Sequence, residues 1–333
     1  MKRQYLLYAI ILFALGSCTE STNNQKGDWS WETIKVNGDP VARHEAGLVA
    51  HKNKLYLIGG RRINPVSEFD TRTLTWKNKA SSPIEIHHFQ PVVVGDKIYI
   101  ICAMTGEWPH EKPFDRIIIY DPEKDTFTFG DTIPANRRRG GAGAILYNDK
   151  IYVVGGITNG HMDGYQPWFD EYDPQTGEWK ALADAPNARD HFQAAVNGDK
   201  LYAFSGRTTS KITNQDMALT VSHGNVYNFD KQEWEAVNDS LAIPTMRAGS
   251  FAFSYKNLII VGGGETAEQV TAHNEVEAFN TKTKLWSKWP SLKQGRHGTG
   301  FAVIGDYVYV ASGSGKHGGE PELTSIERLD LPK

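Results

Sequence analysis

The amino-acid sequence predicts an all-β protein, a six-bladed β-propeller whose ring is closed by the N-terminal strand. Three observations predict this fold. Apolar segments that end in small residues recur about every fifty residues. Each is followed by a second apolar segment, a turn and an aromatic residue, except the last. The last repeat lacks its aromatic segment, and an unpaired aromatic segment stands near the beginning, so the two ends complement each other.

The composition agrees with a turn-rich β protein and excludes several classes of function. The 333 residues include 32 Gly, 9 Trp and 14 Tyr, which favours strands and turns over helices. Two cysteines exclude a disulfide scaffold and a cysteine-rich zinc module. A net charge of −3 gives no bulk electrostatic case for nucleic-acid binding, so we expect no nucleic-acid partner.

Residues 1–17 are predicted to be a lipoprotein signal peptide. Lys2 and Arg3 precede an apolar run over 5–15, which is too short to span a bilayer. The segment 15–18, Leu-Gly-Ser-Cys, resembles the lipobox of bacterial lipoproteins, which implies cleavage before Cys18 and its acylation. Residues 18–28 are polar and are predicted to be a flexible tether. We expect an exported lipoprotein on the periplasmic or cell-surface side of a Gram-negative outer membrane, held only by its lipid anchor.

The repeat unit is carried by a short apolar segment with two small residues at its end. The segments read YLIGG at 56–60, YVVGG at 152–156 and IIVGG at 259–263, with related forms YIICA, YAFSG and YVASG. Turn residues follow at Asp70, Asp121, Asp173, Asp230, Asn280 and Asp330, and aromatics at Trp76, Phe127, Trp179, Trp234 and Trp286. A Gly pair with this period resembles the kelch repeat over residues 29–332, which implies four-stranded blades.

The sixth repeat stops at Asp330 without an outer strand. The segment 29–35, with Trp29 and Trp31, supplies the missing piece. Pairing of the two ends would hide the strand edges that an open array exposes. We therefore assign residues 29–333 to one propeller domain.

Arginine and histidine concentrate on one face of the predicted ring, the top face, where the first strand of each blade begins. Ten of the eleven histidines fall there, whereas the hairpins of the opposite face carry lysine. First-strand starts lie nearest the axis, so these groups should converge on a concave mouth. The predicted substrate-binding residues are Arg43, His44, His87, Trp108, Arg139, His161, Arg189, Arg207, Arg247, Arg296 and His297.

This residue set indicates an anionic carbohydrate, of the uronic or sialic acid type, as the ligand. Guanidinium groups pair with carboxylates, and aromatic rings stack on sugars. The candidates for proton transfer are His88, His191, Tyr165 and Glu265, in an epimerase or mutarotase reaction or in a lyase reaction. A structural role stays open for the arginines and histidines, because they could also bond the backbone of neighbouring blades.

Two family resemblances bear on the chemistry. The segment 263–267, Gly-Gly-Glu-Thr-Ala, resembles the Gly-Glu loop of the bacterial N-acetylneuraminate epimerases, exported six-bladed kelch propellers. That resemblance implies proton transfer by Glu265, although Thr271 stands where the family has its arginine. Kelch chains are also similar to galactose oxidase, but its copper chemistry is excluded here. Cys18 is used by the lipobox and Cys102 falls within a strand, so no cysteine is left for the required cross-link.

Two alternatives remain open from the sequence. The propeller could bind glycans without turnover, or it could be a platform for protein interaction. No cofactor is predicted. A divalent metal held by top-face histidines is a further alternative, but no HxH or HExxH spacing supports it.

Overall fold

The computed structural model describes residues 29–333, so the predicted signal peptide, the tether and Cys18 lie outside the described residues. Six four-stranded antiparallel sheets are arranged around an axis, each with its first strand innermost. The predicted six-bladed propeller is confirmed. No helix within residues 29–333 has the length and apolar character needed to cross a bilayer.

The six blades are numbered along the chain, and their strands are given from the axis outward. Blade 1 consists of Ala46–His51, Lys54–Gly59, Pro65–Asp70 and Thr75–Ser81. Blade 2 consists of Val92–Val94, Lys97–Ile100, Arg116–Asp121 and Thr126–Thr132. Blade 3 consists of Gly143–Tyr147, Lys150–Val154, Phe169–Tyr172 and Trp179–Ala181. Blade 4 consists of Ala194–Asn197, Lys200–Ala203, Asn225–Asn228 and Glu233–Trp234. Blade 5 consists of Phe251–Tyr255, Leu258–Gly262, Val276–Asn280 and Trp286–Lys288. Blade 6 consists of Phe301–Ile304, Tyr307–Ala311, Ile326–Asp330 and Glu32–Thr33.

Short additional elements lie in the loops between the blades' own strands. Two-stranded ribbons are formed by Met104–Thr105 with Lys112–Pro113 and by Ile157–Asn159 with Asp163–Tyr165. Both ribbons lie on the top face, in the loops between second and third strands. Single 3-10 turns occur at Ala135–Arg137, Lys211–Thr213 and Asp239–Leu241.

The N-terminal strand closes the ring as the sequence predicts. Glu32 pairs with Arg328 and Thr33 with Glu327, in antiparallel register. Beside this strand Trp31 is fully buried, and its indole N–H donates to the Pro290 carbonyl at 2.9 Å. Hydrophobic burial and a satisfied N–H therefore hold the first residues of the domain onto its last blade.

Five arginines at the starts of first strands are structural, which corrects the sequence-based prediction that they bind substrate. Each guanidinium is 0% exposed and donates to a backbone carbonyl sixteen residues later, at the end of the second strand of its own blade. The five are Arg43, Arg139, Arg189, Arg247 and Arg296. Three of them also pair with a buried acid of the third strand: Arg139 with Asp170, Arg247 with Glu277 and Arg296 with Glu327. Their donors are therefore used inside the blades, away from any ligand.

Candidate active site

Six backbone positions, one per blade, surround the axis just before each first strand. We call them the axial layer: Glu45, His88, Gly141, His191, Gly249 and Gly298. Each amide from His88 onward donates to the carbonyl of its counterpart in the preceding blade, at 2.6–3.1 Å. The Ala46 amide closes this ring onto Gly298 at 3.1 Å. The ring links all six blades at the bottom of the mouth.

Two glutamine side chains cross the axis beneath the axial layer. The Gln90 amide donates to the Ala194 carbonyl at 2.9 Å, and the Gln193 amide donates to Thr299 at 2.9 Å. Gln90 also accepts from the Ala194 amide. These bridges form a floor, and the cavity between them and the axial layer is only about 40 Å³.

The axial layer carries side chains at three positions where its geometry favours glycine. All six positions have positive φ, between 53° and 64°. Gly141, Gly249 and Gly298 adopt this conformation freely, whereas a side chain there costs about 1–2 kcal/mol. Glu45, His88 and His191 fill the remaining three positions. Backbone strain of this kind is concentrated at functional sites, so these three side chains mark the candidate active site.

The protonation of His88 follows from a chain of hydrogen bonds. His87 Nε2 lies 3.1 Å from the Gly106 carbonyl, which can only accept, so this nitrogen carries the proton. His87 Nδ1 then accepts from His88 Nδ1, at 2.5 Å. The remaining nitrogen, His88 Nε2, therefore bears a lone pair, and it has no hydrogen-bond partner although it is buried.

His191 is oriented by a carboxylate, because its Nδ1 is hydrogen-bonded to Asp190 Oδ1. That carboxylate fixes the proton on Nδ1 and leaves a lone pair on Nε2. His161 Nδ1 lies 3.0 Å from Glu111 Oε1, an ion-pair contact without hydrogen-bond geometry. One ring nitrogen of each of His88, His161 and His191 lies within 4.8 Å of the others. Three imidazoles from three different blades thus meet at the base of the mouth.

Glu45 lies beside this cluster and differs from the other deep carboxylates of the mouth. Glu265 is paired with Arg207 at 2.7 Å and Glu111 with Arg61 at 2.5 Å. Glu45 accepts no hydrogen bond from any residue in the described part of the chain. Its nearest polar neighbours are His88 Nε2 at 3.2 Å and His297 Nδ1 at 3.8 Å.

Burial and neighbouring charges set the protonation states. Burial holds the pKa of His88 well below its usual value, and the adjacent His87 and His191 lower it further. Burial also lowers the pKa of His161. Burial alone would raise the pKa of Glu45, but His297 and His191 bring it below its usual value. At neutral pH the site therefore combines the neutral imidazoles of His88 and His161 with the ionised carboxylate of Glu45.

A cavity of about 580 Å³ opens above the axial layer. Six of the predicted residues line it: His44, Trp108, His161, Arg207, Glu265 and His297. His88 and His191 line the small cavity at its base, and His87 lies behind His88. Tyr165, in the ribbon strand Asp163–Tyr165, lines neither cavity, which does not support the role predicted for it.

Sequence reasoning missed Glu45, Glu111 and Arg61. A signal for Glu45 existed, because it occupies the register position where three other blades have glycine. No local signal marks Glu111, whose carboxylate reaches His161 from the neighbouring blade.

The fold and the site define a six-bladed propeller with a histidine- and carboxylate-lined mouth, and comparison with known proteins agrees with the fold. Residues 127–313 match the family described as the KLHDC2/KLHL20/DRC7 Kelch-repeats domain, so the chain belongs to the kelch-repeat family. The solved structure titled "Structure of YjhT" superposes with a TM-score of 0.72 at 14% identity, covering 88% of this chain and 97% of that one. This likeness shows the fold alone.

Curated relatives are similar at low identity. Kelch-like protein terF of Aspergillus terreus is 25% identical over 323 residues, which cover 91% of this chain and 69% of that protein. Kelch-like protein 40 of Xenopus laevis is 24% identical over 207 residues, 60% of this chain and 32% of that protein. The chain thus spans about a third of the latter relative, and neither name states a substrate.

Proposed function

We propose that the mouth is the active site of an exported, membrane-tethered enzyme that binds a carbohydrate and acts on it by general acid–base chemistry. The observation that carries this proposal is Glu45. The Glu45 backbone has a positive φ at the base of the mouth, its carboxylate is ionised, and no arginine among residues 29–333 pairs with its oxygens. A buried carboxylate left without a partner is costly in free energy, and such groups are retained where a substrate needs them.

Glu45 is the proton acceptor of the proposed reaction. In sugar anomer exchange, a carboxylate removes the proton from the anomeric hydroxyl while an acid protonates the ring oxygen. His44 and His297 line the mouth and supply that acid. His88 cannot, because its low pKa leaves it neutral and its free nitrogen bears a lone pair. We therefore assign proton transfer to Glu45 of the axial layer and not to His88 and His191, which the sequence predicts.

The mouth has the size and chemistry of a sugar site. Its volume of about 580 Å³ falls within the usual range for small-ligand pockets. Trp108 is 51% exposed at its wall and offers a face for stacking. Six carboxylates and three guanidiniums line the cavity, so sugar hydroxyls find acceptors. Arg62, whose side chain is 56% exposed, pairs through Nη2 with Glu322 at 2.6 Å, and its other N–H groups are candidates for the carboxylate of a uronic or sialic acid.

Substitution of Glu45 by glutamine tests the proposal. The purified protein is screened against neutral, uronic, sialic and sulfated sugars, with anomer exchange followed by NMR and lyase products by ultraviolet absorbance. We expect turnover of at least one sugar, reduced about 100-fold in Glu45→Gln because the amide cannot accept the proton.

The matched control is Glu233→Gln on an exposed outer strand, with a side chain 63% exposed, which should keep full activity. If a sugar binds but none is turned over, the protein is a glycan receptor and the proposed enzyme activity is rejected. Neither binding nor turnover across the panel would reject a carbohydrate function, and full activity of Glu45→Gln would reject the assigned base.

A further inference from the structure

We infer that His88, His161 and His191 together bind one divalent transition-metal ion at the base of the mouth. The three side chains come from blades 2, 3 and 4, and their ring nitrogens lie within 4.8 Å of one another. Neutral imidazole is a preferred ligand of such ions, whereas magnesium and calcium prefer oxygen. The spacing and the donor type therefore indicate the ion's class.

Unpartnered nitrogens are the second, independent observation. His88 Nε2 and His191 Nε2 are buried without a hydrogen-bond partner, and both side chains are 1% exposed. Buried polar atoms are normally satisfied, since leaving one unpaired costs about 1–3 kcal/mol. Both nitrogens carry lone pairs, so they can be satisfied by a cation but not by each other.

The outer contacts have the arrangement of a metal site's supporting shell. Asp190 and His87 are hydrogen-bonded to Nδ1 of His191 and Nδ1 of His88, and Glu111 Oε1 lies 3.0 Å from Nδ1 of His161. Hydrogen-bonded partners fix the tautomer and the ring orientation of metal-binding histidines. The rings of His88 and His191 are thus oriented before any ion binds, and His161 has a carboxylate beside its Nδ1.

The charged groups around the cluster are mainly acidic. Glu45 Oε2 lies 3.2 Å from His88 Nε2, Glu111 Oε1 lies 3.0 Å from His161 Nδ1, and Asp190 Oδ1 is hydrogen-bonded to His191 Nδ1. Among the described residues, Arg61 and Arg207 supply the guanidinium groups that pair with acids here, Glu111 and Glu265. Carboxylates this close favour a cation at the cluster. Three imidazoles leave an open position on the side of the mouth, where His161 meets the cavity.

Metal titration without sugar tests this inference independently of the proposed function. The purified protein is treated with a chelator, dialysed, and titrated with Zn²⁺ by calorimetry and with Co²⁺ by visible absorbance. We expect one equivalent of each and the strong visible bands of four- or five-coordinate Co²⁺. His161→Gln and His191→Gly should each weaken Zn²⁺ binding at least 100-fold, while His51→Gln and His223→Gln, outside the cluster, leave it unchanged.

Three results would overturn the inference. One is no Zn²⁺ binding up to about 1 mM. Another is unchanged affinity in both cluster variants, which would place the ion on surface histidines. The third is a weak, octahedral Co²⁺ spectrum of the wild-type protein. Because this measurement needs no variant, it remains decisive even if near-ultraviolet circular dichroism shows that a variant is unfolded.

Discussion

Replacing Arg296 by alanine is expected to lower the free energy of unfolding by about 3–5 kcal/mol. The guanidinium bonds Glu327 at 2.6 Å, and both side chains are 0% exposed. Removing one partner of a buried pair leaves the other charge uncompensated, which costs about this much. The carbonyls of Ser312 and Ser325 lose their donor as well. Urea denaturation followed by tryptophan fluorescence measures the change.

Two further variants separate the buried pair from arginine removal in general. Arg189 donates only to carbonyls, those of Ser205 and His223, so Arg189→Ala should cost less, about 1–3 kcal/mol. Arg72 is 71% exposed, and Arg72→Ala should stay within about 0.5 kcal/mol of wild type. Unchanged stability of Arg296→Ala with lost sugar binding would instead restore Arg296 to the substrate site.

Replacing His191 by glycine removes a ligand of the proposed metal ion and, if that ion serves the proposed reaction, is expected to reduce turnover roughly 1000-fold. The free energy of unfolding should stay within about 1 kcal/mol of wild type. His191 has a φ of 53°, so glycine relieves strain that offsets the lost packing. Asp190 keeps its hydrogen bonds from Thr209. Three other blades already have glycine at this position. Thermal denaturation and the sugar assay measure the two quantities on one sample.

The matched control is Gly298→Ala, at the same register in blade 6. Its φ is 64°, and a Cβ there would lie 2.7 Å from the Glu45 amide nitrogen. We expect a loss of about 1–3 kcal/mol, because backbone cannot yield as a flexible side chain does. A large loss of stability in His191→Gly would show that His191 holds the fold and would contradict its assignment to the site.

The fold was predictable because the sequence pattern of one propeller blade recurs along the chain. Blades 1, 2, 3 and 5 each carry a small-residue pair, an Asx turn and an outer aromatic at a regular spacing, and the missing outer strand of blade 6 points to the segment that holds Trp31. The arginines were misassigned for the same reason. Arg296 and its four counterparts recur in register because five of the six blades use an arginine to bond the same carbonyl, and a sequence does not distinguish this role from a charged mouth.

The site was only partly predictable, because its parts are not neighbours in sequence. His88, His161 and His191 are drawn together by ring closure and by a top-face ribbon, so no spacing motif marks them. Glu111 reaches across a blade boundary. Only an alignment of the blades onto one another exposes Glu45, as a charged residue where glycine would be cheaper.

The side-chain hydrogen bonds of Gln90 and Gln193 close the central channel of the propeller beneath the axial layer, so the mouth is a pocket with one opening. A polysaccharide cannot be threaded through it, so only a chain end, a branch or a free sugar can descend to Glu45. Reactant and product must therefore enter and leave through the same top-face opening. If the mouth is the proposed sugar site, product that stays bound there blocks the next substrate, so product inhibition is expected.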